Sequence, residues 1–415
     1  MYFVCKFESL SQPFPDAATY QDQIIVGADV LKNLGVAAWF FALLPFHVKL
    51  YSLCVAGLGR WMSVSIFLFE PLNALYYVGI LYLVFSLSRR IFDAQTGLLA
   101  TAIVAVWPSF LVHTTQPLKD PIFIALALLF LTINSLWLTK DYSLRRALAI
   151  TTLGLIAEFF LWIVKSDMWE VMIATGIVTC GALLIRMLRN GKYVWGNIAG
   201  ALLLLVMSLI IPRAAVRFYQ PAIGWAQTRG VALSYEGANL SVPAEVSPRD
   251  FLGSKISRLR QRFIIRYPTA GSSIDTDVDF NSTADIIRYL PRALMIGLFA
   301  PFPKMWFATG LQSGRLGRII GGAETLALYV IELMALVGLW HKRREPLAWW
   351  LFLIPLIGIV ALGLVVTNVG ALYRMRYVFV MLLVILGSHG LKQTLRYYDV
   401  RYASACRRDS QYSSN

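Results

Sequence analysis

Runs of mostly apolar residues, each about 17 to 24 long, recur along this chain, and they limit what it can fold into. A run of that length crosses the hydrocarbon core of a bilayer as an α-helix. The runs lack the period-2 alternation of a membrane β-barrel. Composition agrees: 58% of the 415 residues are hydrophobic and only 15% are charged, against roughly 25% charged in soluble domains. The expected class is an all-α polytopic membrane protein.

Membrane helices are expected at 65–88, 94–113, 121–139, 147–164, 171–187, 194–212, 322–340, 347–367 and 376–393. The net charge of +15 resides mainly in short basic clusters at the ends of these runs, which speaks for the positive-inside rule and against nucleic acid. Arg89, Arg90, Lys140, Arg145, Arg146, Arg186, Arg189, Lys192, Lys342, Arg343 and Arg344 fall on one set of turns, followed by a tail with Lys392, Arg396, Arg401, Arg407 and Arg408. The opposite turns hold only Lys119, Lys165, Arg374 and Arg376. The first set is therefore assigned to the cytoplasm.

That orientation places residues 1–64 outside. The stretch 36–59 carries Pro45, His47 and Lys49 at its centre, which suits an interfacial helix better than a span. A bundle of six helices follows over 65–212, then a large exoplasmic segment over 213–321. Three prolines near 291–310 indicate a re-entrant or interfacial hairpin there. Three more spans fill 322–393, and 394–415 is a basic cytoplasmic tail. Cys5, Cys54, Cys180 and Cys406 show no zinc or disulfide spacing. The opening residues lack the features of a signal peptide.

Acids beside or within lipid are the first candidates for chemistry. Asp120 ends the turn "HTTQPLKDP", where it either caps the helix that begins at Pro121 or serves a site. Asp16 in "FPDAATY" presents the same choice. Glu158 and Glu332 lie inside apolar runs and Glu70 near a helix end, each as a hydrogen-bonded bundle residue or a functional acid. Asp167 and Glu170 neighbour Lys165 and are suited to pair with it. Asp275, Asp277 and Asp279 share a face if extended, either as a solvated edge or as a weak calcium site. Asn239 and Asn281 sit in glycosylation sequons.

Two sets of cations complete the candidates. Arg374 and Arg376, in "YRMRY" at the outer mouth of the last helix, stand on the wrong side for topology. Guanidinium suits the gripping of a lipid phosphate, with snorkelling or a carboxylate partner as the alternative. Lys255, Arg258, Arg262 and Arg266 in "FLGSKISRLRQRFIIRYP" form the polar side of a basic amphipathic helix, fit for an anionic lipid surface or for solvent.

Four features occur in one order: "PDAATY", an apolar interfacial segment, "TTQPLKDP" after "AVWPSF", and "YRMRY" before the last helix. Together they resemble the membrane glycosyltransferases of the GT-C class, which includes protein mannosyltransferases and lipid A aminoarabinose transferases. The likeness covers roughly 1–140 and 285–393. It implies a bundle of about nine membrane helices with interfacial helices and one large exoplasmic loop. It further implies inverting transfer of a sugar from a polyprenyl-phosphate carrier to a lipid, glycan or protein hydroxyl.

In the resemblance Asp16 matches the first-loop catalytic acid, Asp120 the second-loop acid, and Arg374 with Arg376 the donor-phosphate region. A divalent metal held by Asp16 and Asp120 is a further implied possibility, and no nucleotide cofactor is expected. The implied setting is the periplasmic face of a bacterial inner membrane, in cell-envelope or exopolysaccharide synthesis. Many relatives carry Asp-Glu at the first motif, where Ala17 follows Asp16 here. Relatives also place a transmembrane helix ahead of the first acid, and the residues before Asp16 contain no such run. A polysaccharide polymerase or ligase using lipid-linked glycans is the nearest alternative, and a lipid-linked sugar transporter or flippase the next. The transporter would favour internal repeats, and none is seen.

Overall fold

The computed structural model describes residues 15–42, 44–59, 68–228, 251–266, 272–307 and 314–412. Among these are fifteen α-helices and no strand. Nine of the helices are long and apolar enough to cross a membrane, or ten if one bent pair counts as a single span. The chain is an integral, multi-pass helical membrane protein.

The first bundle helix, α3 (Glu70–Ile91), descends to Asp93, whose side chain accepts the Thr96 amide at 3.0 Å and caps the next helix, α4 (Ala94–Ala105). The expected span 94–113 does not run straight. Trp107-Pro108 interrupts it, and α5 (Pro108–Thr114) leaves α4 at 70°. Proline has no N–H to donate and clashes with the preceding turn, so the break falls where the sequence puts Pro108. Three helices continue the bundle: α6 (Asp120–Thr139), α7 (Leu144–Val164) and α8 (Trp169–Asn190). The last of these ends on Gly191 at φ 62°, a left-handed position that glycine occupies without strain. Next comes α9 (Trp195–Thr228), which packs between α7 and α8.

Beyond it lie α10 (Phe251–Arg266) and α11 (Thr283–Phe299), the latter started by a Ser282/Asp285 capping box. The C-terminal helices are α12 (Gly314–His341), α13 (Pro346–Val365), α14 (Val369–Met375) and α15 (Tyr377–Tyr412). The seventh expected span therefore begins at Gly314 rather than 322, and the last helix runs through most of the expected tail.

Ion pairs mark the two ends of the bundle. Lys392 meets Asp93 at 2.7 Å and Arg186 meets Asp141 at 2.5 Å at the cation-rich end. Lys165, Arg374 and Arg376 lie at the other, here called the upper end. Helices α12 and α15 run side by side in the same direction, as Gly387 beside Ile331 and Gly390 beside Met334 require. Small residues permit such close backbone approach where lipid gives no hydrophobic drive.

Of the stretch 291–310, where a hairpin is expected, the described part is the end of α11, which lies antiparallel along the upper half of α13, and a turn through Pro301 and Pro303; residues 308–310 lie outside the described residues. Ala293 faces Gly363 and Gly297 faces Ile359. A Cβ at Gly363 would collide with the Ala293 carbonyl oxygen. Gly363→Val should therefore destabilise the protein by about 1–3 kcal/mol, read as a lowered melting temperature in detergent.

Ahead of the bundle, α1 (Pro15–Phe41) and α2 (Phe46–Leu58) pack on each other. By length and composition α1 qualifies as a span, which differs from the interfacial reading of 1–64. Its backbone breaks at Gly35 (φ 85°), which makes Val36–Phe41 a separate helical piece. Asp16 meets Arg374 near its start, and Trp39 near its close donates to Ser52 of α2 at 2.8 Å. The neighbouring Tyr51 donates to Asn73 in the first turn of α3 at 2.6 Å, and Phe46 lies against Phe160 near the end of α7. The start of α1 thus meets an upper-end residue, and beyond the Gly35 break Trp39 returns to Ser52, which also lies beside Gly27.

Candidate functional site

Four charged side chains from distant parts of the chain gather at the upper end. The carboxylate of Asp16, in the first turn of α1, lies 3.1 Å from the Arg374 guanidinium on α14. Asp120, at the start of α6, lies 3.0 Å from the Lys165 ammonium just past α7. Arg374 also sits within electrostatic reach of Asp120, Lys165 and His113. The two pairs differ in exposure. Asp16 keeps 31% of its side-chain surface open, whereas Asp120 and Lys165 keep 8% and 5%. Burial draws the Lys165 ammonium below its ordinary value, and Asp120 opposes that drop.

Neither acid behaves as the helix cap that its local sequence suggests. Lys119 occupies the cap position of α6 with no side-chain cap bond, and the Asp120 carboxylate turns to Lys165. Asp16 turns to Arg374. Lys165, read from sequence as a partner for Asp167 or Glu170, serves Asp120 instead. Glu170 pairs with Lys255 of α10 at 2.8 Å. Lys165 also stands over the Phe123 ring, 4.9 Å from its centre.

Arg374 and Arg376, two residues apart around a helix junction, point to different sides. Arg374 faces the acids. Arg376 is 2% exposed and donates to the carbonyls of Gly297 and Leu298 at 3.1 and 3.2 Å, closing the end of α11. Its guanidinium also stacks on Tyr373 at 4.6 Å. The structure thus gives Arg376 a helix-capping set of partners, and only Arg374 of the expected phosphate pair joins the cluster.

Local interactions aim α14. Asn368 caps it through the Ala371 amide at 3.1 Å. Ile274 donates to the Thr367 carbonyl at 2.8 Å, and Val369 to that of Ser272 at 3.1 Å. The 272–274 strip is anchored in turn by Asp275. Its carboxylate receives Arg292 at 2.9 and 3.0 Å and the Tyr289 hydroxyl at 2.8 Å. Those Arg292 bonds hold the Asp275 carboxyl below the usual carboxylate range. Asp279 accepts from Gln261 at 2.7 Å. Asp275 and Asp279 therefore brace this segment separately, and among the described residues the acids of "SSIDTDVDF" do not gather as a calcium site.

Of the basic residues on α10, Lys255 ties to Glu170, while Arg258 and Arg262 are exposed. The side chain of Arg266 and the sequon at Asn239 lie outside the described residues. Among the described side chains of that helix the most buried cation is Arg260, 1% exposed, which donates to Leu364 O at 2.8 Å and Asp275 O at 2.5 Å. Glu158 receives Ser208 at 2.6 Å inside the bundle, a hydrogen-bonded interior acid.

Two residues beside the cluster, His113 and Glu324, are not among the candidates that the sequence offers. His113 on α5 lies 2.5 Å through Nδ1 from the Ser109 carbonyl and 3.1 Å from the Tyr377 hydroxyl. Glu324 on α12 is 5% exposed and contacts both α5 and α14. An acid at the upper end of an apolar run was the available clue to Glu324.

Among the described residues no three His, Cys, Asp or Glu side chains group to hold a metal ion. Asp16 and Asp120, the two acids implied as metal ligands, are each engaged by a cation. A hard divalent ion with mostly oxygen ligands would have to sit against Arg374 and Lys165. The donor set does not fit one, and no step below is routed through a metal. No family model, no characterised protein and no solved structure matches the chain.

Proposed function

We propose that the upper-end cluster is the active centre of an inverting membrane glycosyltransferase. It takes a sugar from a polyprenyl-phosphate carrier and delivers it to an acceptor hydroxyl. The cation-rich end faces the cytoplasm by the positive-inside rule, so transfer takes place on the opposite, exoplasmic face. In a bacterium that face is the periplasmic side of the inner membrane, and the product enters the cell envelope or an exopolysaccharide.

One observation carries this reading. Asp16 and Arg374, 358 positions apart, form a half-open ion pair beside the buried Asp120–Lys165 pair. A carboxylate and a guanidinium in that state are a base and an anion site that neutralise each other until substrate arrives. A donor phosphate draws Arg374 to itself through charge-assisted bonds and releases the Asp16 carboxylate. Asp16 then takes the proton of the acceptor hydroxyl as its oxygen bonds to the anomeric carbon. The bond from that carbon to the phosphate oxygen breaks, the phosphate keeps the electron pair, and Arg374 stabilises the charge it gains. Asp120 and Lys165 hold the floor of the site rigid beneath the reacting groups.

The assay is transfer from a synthetic polyprenyl-phosphate sugar by protein reconstituted in vesicles. Arg374→Ala removes a charged hydrogen bond worth about 1.5–3 kcal/mol, so the donor KM should rise about 10- to 100-fold with the acceptor KM unchanged. An equal rise in both constants would overturn the donor assignment.

A further inference from the structure

Glu324 ties together the segments that build the cluster, although it touches none of the four charged groups. One oxygen accepts the backbone N–H of Ser109 at 2.6 Å, just past the 70° break between α4 and α5. The other accepts the hydroxyl of Tyr373, the residue before Arg374. The Tyr373 ring also carries the Arg376 guanidinium. A single carboxylate thus joins α12 to α5, which leads to Asp120, and to α14, which bears Arg374.

Both oxygens act as acceptors, so the tie depends on Glu324 having no donor of its own. Burial, and then the charge of Glu324, push the Tyr373 phenol above its ordinary value, and it remains a donor throughout the neutral range. A buried carboxylate with two fixed donors has one well-defined position. Through Tyr373 that position is passed to the backbone of Arg374.

We propose that Glu324 is a positioning residue for the anionic lipid donor: it holds α14 against α5 so that Arg374 presents its guanidinium to a polyprenyl phosphate. This rests on the glycosyltransferase reading above. Glu324→Gln keeps the shape and one acceptor for the Ser109 N–H but turns the other oxygen into an amide donor, so the Tyr373 hydroxyl meets it only as the acceptor of a neutral bond and the charge-assisted tie is lost. Tyr373→Phe removes the same tie from the other side.

The test measures binding of a short-chain polyprenyl phosphate to protein in lipid nanodiscs, together with donor and acceptor KM in the transfer assay. Glu324→Gln and Tyr373→Phe should each weaken polyprenyl-phosphate binding and raise the donor KM by about tenfold. The acceptor KM should stay unchanged, and the double variant should be no worse than either single one, because one link is lost in all three. Loss of folded protein lowers the maximal rate without moving KM, so an unchanged donor KM with a lower yield makes Glu324 merely structural and overturns the proposal. If Glu324→Gln does not fold, Tyr373→Phe decides by the same criterion. Arg374→Ala separates the two levels. If it leaves lipid-phosphate binding intact, the glycosyltransferase reading fails. If it weakens binding while Glu324→Gln and Tyr373→Phe do not, only the positioning role fails.

Discussion

Asp16→Asn should slow sugar transfer by about 10²- to 10⁴-fold, the usual contribution of a positioned general base, while the protein still folds and inserts. The amide keeps the size of the carboxylate but has no affinity for the acceptor proton. The cost to stability is small, because the Asp16–Arg374 pair is partly solvent-exposed and such pairs contribute about 0–1 kcal/mol. Rate and stability therefore separate: a lost rate with a melting temperature close to the parent's supports the base. A full rate in Asp16→Asn would sink the assignment. Donor binding should survive in this variant or tighten, since Arg374 loses its competitor for the phosphate.

The second large effect falls on folding. Lys165→Ala leaves Asp120 buried without its counter-ion, and a lone buried charge typically costs about 3–5 kcal/mol. Asp120→Ala strands Lys165 in the same way. Replacing both, as Asp120→Asn with Lys165→Met, removes the charge and its penalty together and should restore much of the lost stability. Melting temperatures of the two single variants and the double one in detergent test this directly. A Lys165→Ala protein that melts like the parent would show that the pair is not what holds α6 to the end of α7. The double variant also isolates the chemistry. If it melts near the parent and still transfers poorly, Asp120 and Lys165 serve the reaction in addition to the fold.

Much of the bundle was legible in the chain because apolar length is a local property. The spans α6, α7, α8 and α13 fall close to their expected ranges, and the class, an all-α polytopic membrane protein, stands. Three stretches depart from what their local sequence suggests, each for a physical reason. The run 94–113 is apolar throughout, but Pro108 breaks it into two helices at 70°. Gly314 to Gly321 looks too polar for a span, yet it continues α12 upward and carries Glu324 from a helix start into the interior of the helix. The stretch of α1 meets the length and apolarity of a span, but its backbone breaks at Gly35 (φ 85°) and the piece beyond returns to Ser52 of α2.

The candidate site was legible as residue types and not as partners. Asp16, Asp120 and Arg374 each stand out in the sequence as charges next to lipid, and the structure brings them to one end. Arg376 stands out for the same reason, and its geometry sends it to the carbonyls of α11. Lys165 was tied to its sequence neighbours, whereas its partner is 45 positions away.

The division follows the range of the forces involved. The length of an apolar run, a proline and the charge of a turn act within a few residues, and from them the sequence by itself determined a helical membrane protein and the ends where its charges fall. The choice of carboxylate for each cation depends on which helix ends pack together. That packing is decided by contacts between residues far apart in the chain, such as Ala293 against Gly363 and Gly390 against Met334. Only the tertiary structure could therefore join Asp16 to Arg374, assign Lys165 to Asp120, and set Arg376 apart from both.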